Sequence, residues 1–257
     1  MTGRIDRLSL KNFTAEDKAV GVAVSAVLAG AVGLAVFNPL TGSAVAETAT
    51  QAAAVAEKGT AAVTENGAAP AGPAAMTAAE ASQAGYKVPP RDVDPSEVIK
   101  LAEKQVGISE GKGGQTKFHD WYVSTPHAKA TADRDGGFSV DAYNGAQWCN
   151  MFVSWLGAQT GVKNMGWDAY TVQHASWFED TGRWGQKAKP GSVVFFDWDR
   201  GSSISAIDHV GIVVKDNGDG TVKTIEGNTS NEVQKKTRDK SLIVGYGYPD
   251  YNPEYKA

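Results

Sequence analysis

The chain has 257 residues, with 25 Lys+Arg against 29 Asp+Glu and a formal charge of −4. Residues 1–46 carry net +1, residues 47–95 net −3 and residues 96–257 net −2, so no region has the basic excess that a nucleic-acid partner requires. All seven Trp lie at or beyond Trp121, whereas residues 1–85 hold 25 Ala and only two aromatics, Phe13 and Phe37, which places the packed core C-terminal to about residue 95.

Ala19 to Phe37 is a stretch of 19 uncharged residues, preceded by Arg4, Arg7, Lys11 and Lys18. Asn38-Pro39 breaks it, and Ser43-Ala44-Val45-Ala46-Glu47 follows with the small-x-small pattern of a cleavage site. Residues 1–46 therefore read as a signal peptide, or as an uncleaved membrane anchor of the same apolar length; a buried soluble helix is the least favoured reading. Either leading reading makes the rest of the chain secreted or envelope-associated, and this apolar segment is its one means of transient membrane contact. Residues 47–95 are rich in Ala, Gly, Pro, Thr and Glu, a composition that cannot offset ordering entropy, and read as a flexible tether.

The folded unit, residues 96–257, opens on a helix signal. Asp94 caps, Pro95 takes the first helical position and Glu97 sits three after the cap. Val98, Leu101, Ala102 and Val106 follow at helical spacing up to Gly107. A second helix is expected from Cys149 to Thr160, stopped by Gly161. After Pro190-Gly191 the period changes to strands: Ser192–Trp198, His209–Lys215, Thr221–Glu226 and Leu242–Tyr246. Helices first and an antiparallel sheet afterwards give an α+β fold.

Cys149 is the only cysteine. A single thiol in an exported chain is buried and inert, paired between chains, or reactive. Its place at a helix start, where unpaired N–H groups and the helix dipole stabilise a thiolate, favours reactivity without deciding it. A nucleophilic thiol needs a base. His119, His127 and His174 sit in polar, turn-like surroundings and read as surface residues. His209 opens the apolar run Val210-Gly211-Ile212-Val213-Val214 and can be held rigid by a sheet. If Lys215 faces Gly220 across the Asp216-Asn217-Gly218-Asp219 turn, Val213 pairs with Val222, Val210 with Ile225 and His209 with Glu226. A slip of two would bring Asn228 opposite His209 instead. Either residue would orient the imidazole.

Other chemistries find no support. There is no G-x-S-x-G elbow and no H-E-x-x-H. The Gly107 to Gly113 segment is one residue short of a phosphate loop. Asp133-Arg134-Asp135-Gly136 begins like a calcium loop but lacks the completing acid. No metal and no cofactor is expected.

Several ordered segments resemble CHAP domains, the cysteine, histidine-dependent amidohydrolases/peptidases, which are related to NlpC-type peptidases. Trp148-Cys149-Asn150-Met151-Phe152-Val153-Ser154-Trp155 resembles their nucleophile motif and Asp208-His209-Val210-Gly211-Ile212-Val213 their histidine motif. Thr224-Ile225-Glu226-Gly227-Asn228-Thr229 resembles the segment with the third and fourth polar residues. Lys189-Pro190-Gly191-Ser192-Val193-Val194-Phe195-Phe196 and Ile243-Val244-Gly245-Tyr246-Gly247 look like the first and closing core strands. The resemblance implies a papain-like fold with helices packed on an antiparallel sheet, and hydrolysis of an amide in peptidoglycan, by a muramoyl-L-alanine amidase or a peptide endopeptidase. Cys149 would be the nucleophile, His209 the base, Glu226 and Asn228 its orienting partners, and Trp148 a substrate contact. A monomer is expected. The competing readings are a catalytically silent wall-binding or scaffold module and a phage-derived lysin.

The cleavage pattern carries a direct test: N-terminal sequencing of extracellular material should return Glu47 as the first residue. A Met1 terminus in the membrane fraction would establish the anchor instead.

Overall fold

A computed structural model describes residues 76–252. The expected leader and its cleavage site at Ala46–Glu47 lie outside the described residues, as does most of the expected tether. Among the described residues no helix is long and apolar enough to cross a membrane.

Packing begins before residue 96. Helix α1 (Ala78–Gln83) starts on a capping box in which Glu80 N–H donates to Thr77 Oγ1 at 3.2 Å and Thr77 N–H donates to Glu80 Oε2 at 2.8 Å. Behind it Tyr86 lies on Trp167 with ring centroids 4.4 Å apart, the Trp121 indole N–H donates to Gly85 O, and Val93 is buried. The Ala-rich composition hid this, because one docked aromatic and one apolar anchor suffice to fix a short segment.

Helix α2 (Pro95–Glu103) follows the expected signal, with the Asp94 N–H on the Glu97 carboxylate and Val98 and Ala102 buried. It ends four residues before Gly107, and Val106 is 40% exposed rather than part of the apolar face. Helices α3 (Lys117–Val123) and α4 (Pro126–Arg134) come next, started by Thr116 and Thr125 at their caps. Helix α5 (Cys149–Thr160) has the expected bounds and ends at Gly161, whose φ of 71° is the left-handed stop that glycine allows. Helix α6 (Thr171–Asp180) completes the layer.

The strands are β1 (Trp184–Gly185), β2 (Val193–Phe196), β3 (His209–Asp216), β4 (Thr221–Thr229), β5 (Glu232–Asp239) and β6 (Ile243–Gly247). They form an antiparallel sheet in the order β1-β6-β2-β3-β4-β5. The fold is α+β. Alternation assigns the faces. Phe195, Val210, Ile212, Ile225 and Val233 join the core with Phe152, Val153 and Leu156 of α5, while Val194, Phe196 and Val213 build a smaller cluster with Leu242 and Tyr246.

The β3–β4 register differs from the expected one. Ile212 pairs with Ile225 and Val213 with Thr224, a slip of two, with an irregularity between Val213 and Lys215. The cause is the turn together with that irregularity. The last paired residues are Asp216 and Val222, which leaves five residues between them where four are expected, and the irregularity brings the remaining slip to two. Gly218 and Gly220 take the positive φ that this turn needs.

Helix α5 can approach β4 because Gly227 has no side chain: a Cβ there would lie 2.6 Å from Phe152 Cβ and 2.9 Å from Trp148 Cζ3. Gly227→Ala should therefore cost about 1–3 kcal/mol of stability through overpacking, read as a lower urea midpoint at unchanged m. A change within about 0.5 kcal/mol would show that this contact is not close-packed.

Candidate active site

Cys149 is the first residue of α5 and His209 the first of β3, so each side chain is held by the end of a rigid element. Both are buried, at 4% and 1% exposure. The paired part of β3 and β4 ends at Ile212–Ile225, one residue short of Gly211 and Glu226. Glu226 nevertheless reaches His209, because its side chain crosses the space that Gly211 leaves empty. A Cβ on Gly211 would lie 2.6 Å from Glu226 Cγ.

His209 Nε2 meets Glu226 Oε2 at 3.1 Å. With Nε2–H donating to the carboxylate, the lone pair of the neutral ring sits on Nδ1, which is buried and closes no conventional hydrogen bond. Burial opposes charge on this ring, but interaction with Cys149 and the hydrogen bond and charge of Glu226 outweigh it and push its pKa up to about 9. Because Nε2 is taken by Glu226, Nδ1 is the nitrogen available to the Cys149 thiol. The ring also stacks near Phe196 and Trp198, with centroids 6.0 and 5.5 Å away.

Glu226 has no exposed surface. Thr224 Oγ1 donates to its Oε1 at 2.5 Å and Thr229 Oγ1 to its Oε2 at 3.4 Å. Arg238 on β5 adds its Nε at 3.1 and 3.2 Å and a terminal nitrogen at 2.7 Å. Burial opposes ionisation, yet His209 and Arg238 together hold the carboxyl well below the usual range. The sequence reading missed Arg238 because it missed β5: in Glu-Val-Gln-Lys-Lys-Thr-Arg-Asp only Val233 is apolar, and a polar edge strand carries little periodicity.

Three expectations are corrected. Asn228 does not bond to His209: its φ is 58°, and its side-chain N–H donates to Gln147 Oε1, two residues before Cys149. Trp148, expected to face substrate, is fully buried, stacks on Phe118 at 5.3 Å, and its indole N–H donates to Glu110 Oε1 at 2.8 Å. His119 and His174 are not surface residues but 0% and 1% exposed, and His127 is half-buried. His119 bonds Thr116 N–H and Ala146 O, and His127 meets Trp167 O. The remaining calcium-loop residues are engaged in ion pairs: Asp133 with Lys129, and Asp135 with Arg134. Among the described residues no three His, Cys, Asp or Glu group to hold a metal.

A second network fixes the first turn of α5. Asn150, fully buried beside Cys149, donates from Nδ2 to Asp168 O and Tyr170 O at 2.9 and 3.2 Å. Its Oδ1 lies 2.8 Å from His174 Nδ1, and His174 Nε2 lies 2.7 Å from Met165 O. Ser154 Oγ donates to Asp168 O and accepts from Asp168 N–H, both at 3.0 Å.

The family model of the CHAP domain matches residues 141–228. Over these residues the chain is similar to a CHAP domain. The match spans α5 through β4 and includes Cys149, His209, Glu226 and Asn228. The comparison with curated proteins gave no match. A CHAP domain implies a hydrolase acting on peptidoglycan, and hence a bacterial cell-wall substrate.

His174 generates a pH prediction. Burial lowers its pKa to about 4. Between about 6.5 and 4 the unfolded chain binds this proton and the folded chain does not, so stability should fall as pH drops through that window, by a few kcal/mol. Urea midpoints against pH should show the decline, and His174→Gln should flatten it. An unaltered slope in the variant would mean that His174 binds its proton equally well in the folded and unfolded chain.

Proposed function

We propose that this protein is a peptidoglycan amidohydrolase that works through a Cys149 thiolate. The observation that carries this reading is the buried His209, held at Nε2 by Glu226 and left with Nδ1 for the thiol at the start of α5. His209 Nδ1 takes the thiol proton, and the thiolate attacks the amide carbonyl carbon. The oxyanion that forms is met by the Cys149 N–H, which as a first-turn amide has no helical acceptor. The imidazolium returns its proton to the amide nitrogen, the C–N bond breaks and the amine leaves. Water, deprotonated by His209, then hydrolyses the thioester and regenerates the thiol.

Glu226 stabilises the imidazolium formed in each half-reaction. Asn228 acts one step further out, by holding Gln147 on the segment that leads into Cys149. The scissile bond is either the muramoyl–L-alanine amide or one within the peptide. Both present the same carbonyl chemistry, and mass spectrometry of digested wall fragments distinguishes them by the new carboxyl group. The expected leader would carry the enzyme to this substrate.

Cys149→Ser should abolish wall hydrolysis while leaving the melting temperature nearly unchanged, because the hydroxyl fills the same space but His209 cannot ionise it readily. Glu226→Gln should lower kcat by roughly one to three orders of magnitude and move the alkaline limb of the pH–rate profile to lower pH, since the imidazolium loses its anion. Asn228→Ala should cost less, on the order of tenfold. Retained turnover in Cys149→Ser would overturn the nucleophile assignment.

A further inference from the structure

The CHAP match ends at residue 228, yet the carboxylate beside His209 is held as much from beyond that point as from within it. Arg238 lies on β5, opposite Val222, and its side chain runs back along the sheet face to Glu226. It is nearly buried, with 8% of its side chain exposed, and its guanidinium carbon lies 4.9 Å from the Trp198 ring centroid and 5.9 Å from that of Phe196. Two nitrogens of the guanidinium reach the carboxylate, one of them bridging both oxygens. The flat guanidinium is thus clamped between aromatic surface and carboxylate. Such a group fixes the direction of the carboxylate as well as its charge.

We propose that Arg238 is a positioning residue of this active site, holding the Glu226 carboxylate charged and aimed at His209. This rests on the Cys149–His209 reading given above. The charged and titratable groups around Glu226 are His209 on β3, Asp208 immediately before it, Arg238 on β5 and, through His209, Cys149 on α5. Thiolate, imidazolium, carboxylate and guanidinium alternate in sign. Without the guanidinium, a carboxylate this deeply buried gains a proton more readily. The imidazolium then loses its anion as pH falls, and the thiolate is quenched at a higher pH than before.

Since Cys149 is the only cysteine, alkylation of the full-length protein by iodoacetamide reports on it alone. Arg238→Met, which keeps an apolar chain against Trp198, should move the acid limb of the alkylation–pH profile up by about one unit and slow alkylation near pH 5.5 by about tenfold. Arg238→Lys keeps the charge but not the fork. It should leave that limb within about 0.3 units while reducing wall hydrolysis by about tenfold, and it serves if the Met variant does not fold. In a Glu226→Gln background, Arg238→Met should shift the limb no further. Three results would overturn the proposal: an unshifted limb in Arg238→Met, a shift in Arg238→Lys as large as full loss of charge, or an equal shift without Glu226. Failure of the wild-type protein to alkylate anywhere below pH 9 would instead sink the Cys149–His209 reading itself.

Discussion

A carboxylate withdrawn completely from water must be answered inside the protein, and Glu226 is answered from three strands at once. His209 comes from β3, Thr224 and Thr229 from β4 itself, and Arg238 from β5. Taking two charges out of water costs several kcal/mol per ion before any attraction is counted. That cost is met only when the partners stand in fixed positions. The edge strand β5 is therefore part of the site, although no residue of it lies within the family match. The glycines on either side of Glu226's contacts serve the same end. Gly211 leaves the path to His209 open, and Gly227 lets α5 settle against β4.

Helix α5 brings the thiol to this charge from the other side, and its first turn is not left to the helix alone. Asn150 ties it to the 168–170 segment and to His174, and Ser154 repeats the tie one turn later. Asp168 in turn accepts Arg134 from α4. A polar network of this kind, buried except at Arg134, sets one position for the helix start where apolar packing would accept several. Cys149 and His209 thus approach each other from two independently anchored elements, which is what a thiol–imidazole pair needs if it is to be formed before substrate arrives.

The sequence was legible where one local rule dominated. Helix α5 was bounded by its apolar stripe and Gly161, and four strands by β-branched runs between turn residues. Strand β5 was not, because its pattern is polar and its one essential side chain is an arginine that a sequence pattern assigns to solvent. His119 and His174 misled for a related reason. Their partners include backbone carbonyls well separated in sequence, at Ala146 and Met165, and no sequence pattern announces a backbone acceptor. Trp148 was drawn toward the substrate by its neighbour in the chain, when its indole N–H is spent on Glu110.

The slipped register still leaves Glu226 as the residue that His209 meets. A shift of two keeps every residue on its own face, since side chains alternate with period two. Glu226, His209, Gly211 and Asn228 would share a face in either register. What changes is who stands directly opposite His209, and opposition does not decide the contact. Diagonal neighbours lie roughly 7–8 Å apart, within reach of a long side chain and beyond a short one. Glutamate spans that distance over the bare backbone of Gly211. Asparagine, two residues on, is carried away by its own left-handed backbone to Gln147. Face, reach and an empty Gly211 select the carboxylate, and the pairing count alone would have selected the amide.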